Sequence, residues 1–285
     1  MMQALATKSS KWISTIDWEA LAPSCSWSGC HRRRARWQGL LHRTQGVHCG
    51  NDWYCSSDCL HDFLVSVLYR YIAEPPSSAT APGHRVPLGL ILLSRGQVEH
   101  ASLQQALQLQ KSDGGRVGDC LRRISAVTED QVTSALAKQW SCPVYPVSRG
   151  SECRHLLPRQ LQEFHRMLPV HFVEPTRDLY VAFEQHVDYT ALLAVEQMLN
   201  CHTRPCVLPE SELRRRLDQE QLESGNPEIV FGSNITSQEL SRSVCSYVQQ
   251  TGADSVRLLG CGAHLWIRLE GNQKYLDLLV RRWQS

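Results

Sequence analysis

The chain has 285 residues, 42% of them hydrophobic and 20% charged, and a formal net charge of +2. That is enough apolar side chain for two or three compact bodies, and too little excess charge for a dedicated nucleic-acid binder or a disordered chain. The N-terminus, MMQALATKSSKWISTIDWEALAPS, lacks a signal peptide's apolar core and cleavage site, and no apolar run reaches membrane-spanning length. A cytoplasmic protein without membrane insertion is expected, its 12 cysteines reduced rather than paired in disulfides.

Residues 1–24 form an N-terminal segment, and Cys25, Cys30, Cys49, Cys55 and Cys59 all fall within the first sixty residues of the chain, as do five of the eight tryptophans. Cys25-x4-Cys30 and Cys55-x3-Cys59 are 24 residues apart, and Cys59 leads into LHDFLVSVLYRYI, an amphipathic helix. Two thiolate pairs suit tetrahedral Zn²⁺, and a helix N-terminus favours the second pair as anions. Four thiolates close the sphere, so the expected zinc is structural; free cysteines in a small apolar core are the other reading. The first pair is wider than C-x2-C, which leaves Cys49, His31, His48 and His61 as substitute ligands. The phrase WYCSSDCL resembles the second half of FCS- or TRASH-type treble-clef zinc fingers, giving a zinc module over 25–73. Between the pairs, Arg32, Arg33, Arg34 and Arg36 beside Trp37 make either a phosphate- and base-contacting loop or a solvated one; nucleic acid is the less expected partner. Residues 74–86 (EPPSSATAPGHRV from Glu74 to Val86) read as a linker.

From Pro87 the same 24-residue pattern is written twice. PLGLILLSRGQVEHASLQQALQLQ ends at Gln110, five residues follow, and RVGDCLRRISAVTEDQVTSALAKQ runs from Arg116 to Gln139. An offset of 29 places Leu88 on Val117, Gly89 on Gly118, Leu92 on Leu121, Leu103 on Val132, Leu107 on Leu136 and Gln110 on Gln139. Each copy predicts a short helix, a turn and a longer amphipathic helix. Gly96 stands where a left-handed glycine would stop the first helix, while Ser125 replaces it in the second copy. Thr128 and Gln131 form a capping box.

The pattern R-L-G-x-x-L-x-x-x-G-x-x-x-x-x-x-L-x-x-x-L-x-x-Q, repeated after five residues, resembles the MshEN domain of ATPases that drive type II secretion and type IV pilus assembly. That resemblance implies cyclic di-GMP as ligand, each copy holding half of the dinucleotide. Carried onto this chain, the ligand-binding positions are Leu88, Gly89, Leu92, Gly96, Leu103, Leu107, Gln110, Arg116, Val117, Gly118, Leu121, Val132, Leu136 and Gln139. Pro87 stands where the family has arginine, and Arg85 is the candidate to supply that charge. Secretion or pilus machinery proteins are the implied partners. In this scheme 87–145 is the tandem helical repeat.

Residues 146–222 then read as the small α/β half of the same domain. LLPRQLQEFHRM predicts a helix with Leu157, Leu161 and Phe164 on one face; LPVHFVEP and DLYVAFEQ predict a hairpin turning at Thr176 and Arg177; a helix, a strand and a helix follow. Residues 225–285, with EIVF, a helix, SVRLL and HLWIRLEG, weakly resemble the segment before the motor of those ATPases and form a small α+β domain. The fold class expected is therefore α+β multidomain: treble-clef-like zinc module, tandem helical repeat packed with a small α/β subdomain, and C-terminal α+β domain. No G-x-x-x-x-G-K-[ST], H-E-x-x-H or G-x-S-x-G occurs. His186 with Asp188 reads as surface polarity. Two functions remain: a non-enzymatic cyclic di-GMP sensor or adaptor, or a structural protein whose degenerate repeat has lost its ligand.

Overall fold

The computed structural model describes residues 25–30, 46–73, 85–148, 153–219, 227–272 and 274–281. The N-terminal segment, the arginine run with His31, and linker residues 74–84 lie outside them. The described residues fall into two compact units. One takes those up to residue 74 with 234–258 and 269–275; the other takes those of 75–233, 259–268 and 276–285. Among the described residues the fold is mixed α+β, with nine α-helices and nine strands in two sheets.

The first unit opens with strands β1 (Val47–Cys49) and β2 (Asp52–Tyr54), an antiparallel hairpin in which Cys49 faces Asp52. Only Gly50 and Asn51 connect them, and Gly50 takes φ +62°, the positive φ such a two-residue turn needs. Helix α1 (Ser57–Ala73) follows at once. Leu60, Leu64 and Leu68, four apart, form its fully buried stripe.

The repeat, in the second unit, folds as four helices: α2 (Leu88–Ser94), α3 (His100–Asp113), α4 (Val117–Arg123) and α5 (Glu129–Trp140). Both short helices close identically. Gly96 and Gln97 N–H donate to the Leu93 and Leu92 carbonyls at 3.0 Å, and Ser125 and Ala126 N–H donate to those of Arg122 and Leu121 at 2.9 and 3.0 Å. Ser125 sits at φ +55° beside φ +66° for Gly96, so the serine accepts the left-handed strain that glycine avoids. The Thr128–Gln131 capping box is present, both bonds formed.

The two copies interlock. Helix α2 packs on α5 and α3 on α4, so each copy's short helix lies against the other's long one. Equivalent residues share one core: Leu92 with Leu121, Val98 with Val127, Ala106 with Ala135. A Cβ on Gly89 would stand 2.7 Å from Leu103 Cδ1, so a larger residue here would make the Leu103 side chain shift.

The α/β half continues with α6 (Arg159–His165), β3 (Met167–Val173), β4 (Asp178–Phe183), α7 (Tyr189–Leu199), β5 (His202–Val207) and α8 (Glu210–Gln219). The sheet order is β3-β4-β5, with β3 and β4 antiparallel and β4 and β5 parallel. The predicted hairpin is there, with Arg177 at φ +54° in its turn. Leu157 and Leu161 are buried as expected. Phe164 is not: Leu157 precedes the helix, and Phe164 lies outside the core, edge-on to His264 at 4.6 Å. Strand β6 (Glu228–Phe231) ends this stretch.

Helix α9 (Ser237–Thr251) returns the chain to the first unit, capped by a Thr236–Glu239 box. It packs on α1, where Ser241 Oγ bonds His61 Nδ1 at 2.8 Å. Strands β7 (Ser255–Cys261), β8 (His264–Gly271) and β9 (Lys274–Arg281) complete the fold. In the first unit β1 pairs parallel with β7, His48 opposite Ser255; in the second β6 pairs parallel with β9.

Candidate functional sites

Cys25 and Cys30 flank a tight turn in which Cys30 N–H donates to the Trp27 carbonyl at 3.0 Å. Cys55 follows β2 and Cys59 lies in the first turn of α1, a hairpin-then-helix arrangement of the expected treble-clef kind. Their four Sγ atoms lie within 4.8 Å of one another. Cys30–Cys55 and Cys55–Cys59 are 3.7 and 3.9 Å apart. Four sulfurs at about 2.3 Å from a tetrahedral Zn²⁺ would be about 3.8 Å apart, so these residues fit such an ion. Burial pushes the Cys59 thiol up to about 12 and raises Cys55 as well, so a metal must displace protons to bind. Among the described residues no further ligand joins the group. His61 is engaged by Ser241, and Cys49, whose thiol burial pushes up to about 12, packs in the core.

The repeat and the α/β half border a cavity of about 490 Å³. Eight of the expected ligand positions line it: Leu88, Gln110, Arg116, Val117, Gly118, Val132, Leu136 and Gln139. The others do not. Leu92 and Leu121 are wholly buried and Leu103 nearly so, all in the repeat core. Gly89 is packed against Leu103, Gly96 is a turn, and Leu107 is exposed at 42%.

The glutamines have a structural job. Gln110 Nε2 donates to the Gly115 carbonyl at 3.0 Å and Gln139 Nε2 to the Val86 carbonyl at 2.7 Å. Gly115 and Val86 are themselves 29 residues apart, so each copy's closing glutamine ties down the residue that leads into the other copy. Beside those carbonyls stand Arg116 and Arg85. Arg85 lies with Cζ 3.5 Å over the Trp140 ring and 5.8 Å from that of Tyr189. Among the described residues neither arginine has a carboxylate partner, unlike Arg122, which bonds Glu210 at 3.2 Å.

Sequence reasoning missed the rest of the lining. Asp119, Glu129, Glu184 and Glu210 bring four carboxylates, and Trp140, Gln185 and His186 bring a polar, aromatic wall. Arg166 neutralises Glu184 through two bonds of 3.0 and 2.8 Å. Only Trp140, directly after the closing glutamine, carried a signal in its position.

Asp188, beside His186 in sequence, has a different hydrogen-bond partner. It caps α7 and bonds His165 Nδ1 at 2.8 Å, while His165 Nε2 lies 3.4 Å from Cys261 Sγ. The order is that of a thiol–imidazole–carboxylate triad, yet Cys261 is wholly buried and its thiol is pushed up to about 12 by burial. It presents no thiolate to a substrate.

Among the described residues no helix is long and apolar enough to cross a membrane. No family model matches the chain. The type IV pilus assembly ATPase PilB of Myxococcus xanthus (strain DK1622) is 23% identical over 141 residues, which is 48% of this chain and 25% of PilB. The chain thus spans about a quarter of the length of the curated relative it matches. A solved structure of MshE with cdg is 31% identical, covering 47% of this chain and 99% of that one, at a TM-score of 0.41. The N-terminal domain of XpsE is 17% identical over 46% of this chain and 92% of its own, at a TM-score of 0.35.

Proposed function

This chain belongs to the MshEN-domain family, and from that premise we propose a non-enzymatic regulatory module that binds cyclic di-GMP at the tandem repeat. The observation that carries this reading is the pair of crossed glutamine bonds. They fix the backbone next to two arginines without carboxylate partners, Arg116, which lines the cavity, and Arg85, which lies over Trp140. A cyclic dinucleotide carries two phosphates, and arginine binds phosphate through charge-assisted hydrogen bonds that a purely structural repeat never needs. The module would act on secretion or pilus assembly machinery, as the likeness to a pilus assembly ATPase suggests, with no nucleotide hydrolysis of its own. The four cysteines would hold one structural zinc ion that fixes the hairpin to the start of α1.

A second reading has its own observation: four lining carboxylates oppose Arg116 and Arg122 in the cavity, which disfavours a dianion there. Under it the repeat is an adaptor scaffold that has lost its ligand. Calorimetric titration of the purified chain with cyclic di-GMP, against the linear dinucleotide, separates the two. Saturable heat for the cyclic form, abolished by the pair Arg85→Ala and Arg116→Ala, supports the sensor. Absence of heat, or heat indifferent to those substitutions, supports the scaffold.

A further inference from the structure

Strands β2, β3, β5 and β6 end the two sheets, and three of these four outer edges are covered or interrupted. Along β2, Ser26 N–H donates to the Trp53 carbonyl at 2.9 Å and Ser26 Oγ accepts from Trp53 N–H at 3.3 Å. Along β5, Val144 bridges to Val207, with Tyr145 N–H on the Val207 carbonyl at 2.8 Å. On β3, Pro169 has no N–H to offer, and the register shifts between Pro169 and His171. Such devices keep an edge from pairing with another chain. Strand β6 has none of them: its sequence is EIVF, and it pairs with β9 alone. Asp277 N–H donates to the Pro227 carbonyl, so the alternation of a parallel ladder turns the N–H and C=O of Glu228 and Val230 away from β9. Among the described residues these four groups have no hydrogen-bond partner.

Beside the C-terminal end of β6 lies a groove of about 470 Å³. Phe164 and Val230, both half-exposed, and Phe231 give it apolar walls. Two of its polar residues carry no free charge. Burial lowers His264 to about 4, which leaves it neutral, and Glu163 accepts from Arg159 Nε at 2.6 Å. Arg281 stays at the groove without a carboxylate partner among the described residues.

We propose that β6 and this groove dock an extended segment of another protein, which adds a strand to the sheet, seats an apolar side chain in the groove and sets an acidic residue against Arg281. Backbone pairing supplies the affinity and the groove selects the side chain. A second copy of this chain fits less well. Its β6 brings one acidic residue, Glu228, whose carboxylate already accepts from Arg159 N–H at 2.7 Å. The inference concerns partner recognition and rests on neither the zinc nor the cyclic dinucleotide reading.

The test selects random dodecapeptides displayed on phage against the immobilised full chain, then measures synthetic copies of the enriched ones by calorimetry. Enriched peptides should alternate apolar residues and carry Asp or Glu. Val230→Pro deletes a donor that faces away from β9, so it spares the β6–β9 ladder; it should weaken these peptides about tenfold at an unchanged unfolding midpoint. Arg281→Glu, at an exposed position, should weaken them too and turn selection toward basic peptides. Bound peptide should slow amide exchange at Glu228 and Val230 and leave Ile229, which faces β9, unchanged. The exchange pattern and Arg281→Glu decide the matter even where proline unsettles the strand. Peptides that bind both variants as tightly as wild type, or no enrichment over the bare support, overturn the proposal. So does a wild-type dimer in sedimentation that Val230→Pro dissociates, because a second copy then holds the edge.

Discussion

Leu107 and Leu136 occupy the same position in the two copies of the repeat, and truncating each should have very different consequences. Leu136 is 8% exposed and packs with Ala137, Val132, Trp140 and Val207, so it joins the repeat to the α/β half. Leu136→Ala removes buried carbon and leaves a cavity among rigid neighbours, a loss of about 2–5 kcal/mol. Leu107 is 42% exposed. Water fills the space its side chain leaves, so only the lost transfer energy of a partly covered side chain counts, roughly 1 kcal/mol. Urea unfolding of both variants, compared at unchanged denaturant slope, should therefore rank Leu136→Ala well below Leu107→Ala in midpoint. Equal losses would refute the reasoning, because they would mean that the copies are buried alike. The contrast also corrects what periodicity alone suggests, since both leucines fall on the apolar stripe of their helices.

Metal analysis of purified protein should give about one zinc per chain, and chelation should melt the hairpin and α1; protein that is folded without metal would contradict this. Because burial raises the Cys55 and Cys59 thiols, protons compete for the sulfurs, and zinc should be released progressively on acidification. Arg116→Ala should cost roughly 1.5–3 kcal/mol of cyclic di-GMP binding with little change in unfolding midpoint, as for a hydrogen bond to a charged group at an exposed residue. Stability should also fall between about pH 6.5 and pH 4. Burial, with His165 and Arg281 nearby, lowers His264 from 6.5 to about 4, so over this range the unfolded chain binds the proton and the folded one does not. A second loss should follow below about pH 4.5, as Glu212, held at about 2 by Arg215 and Arg216, is titrated in the unfolded chain. A stability profile flat from pH 7 to pH 4 would refute the first assignment.

The repeat was legible because its period, its apolar matches and its turn residues all pointed to one unit, and the shared core of Leu92 with Leu121 and Ala106 with Ala135 follows that register. What the register could not carry was the crossing of the copies, since a pattern fixes which face of a helix is apolar, not which helix covers it. That is why Leu92, Leu103 and Leu121 read as ligand-facing and proved to be core. The cysteine spacing predicted a metal cluster without revealing the β1–β2 hairpin, whose strands are too short to show alternation. Contacts between remote segments were equally silent: α1 with α9, β1 with β7, and Trp140 with Gln185. Ser125 departs from the glycine expected at that turn without changing it. Its neighbours over-determine the turn, so the serine adopts the glycine conformation.

In the proposed sensor, the cavity beside the crossed glutamine bonds holds a cyclic dinucleotide, with Arg116 in its wall. Calorimetric titration of the full chain with cyclic di-GMP tests it most directly, in wild type and in the Gln110→Ala, Gln139→Ala double variant. The account predicts saturable, one-to-one heat for the wild type, weaker binding to the linear dinucleotide, and a clear loss of affinity in the double variant, which frees the residues beside Arg85 and Arg116 without emptying the core. No saturable heat for the wild type, or affinity in the double variant equal to the wild type's, would contradict it.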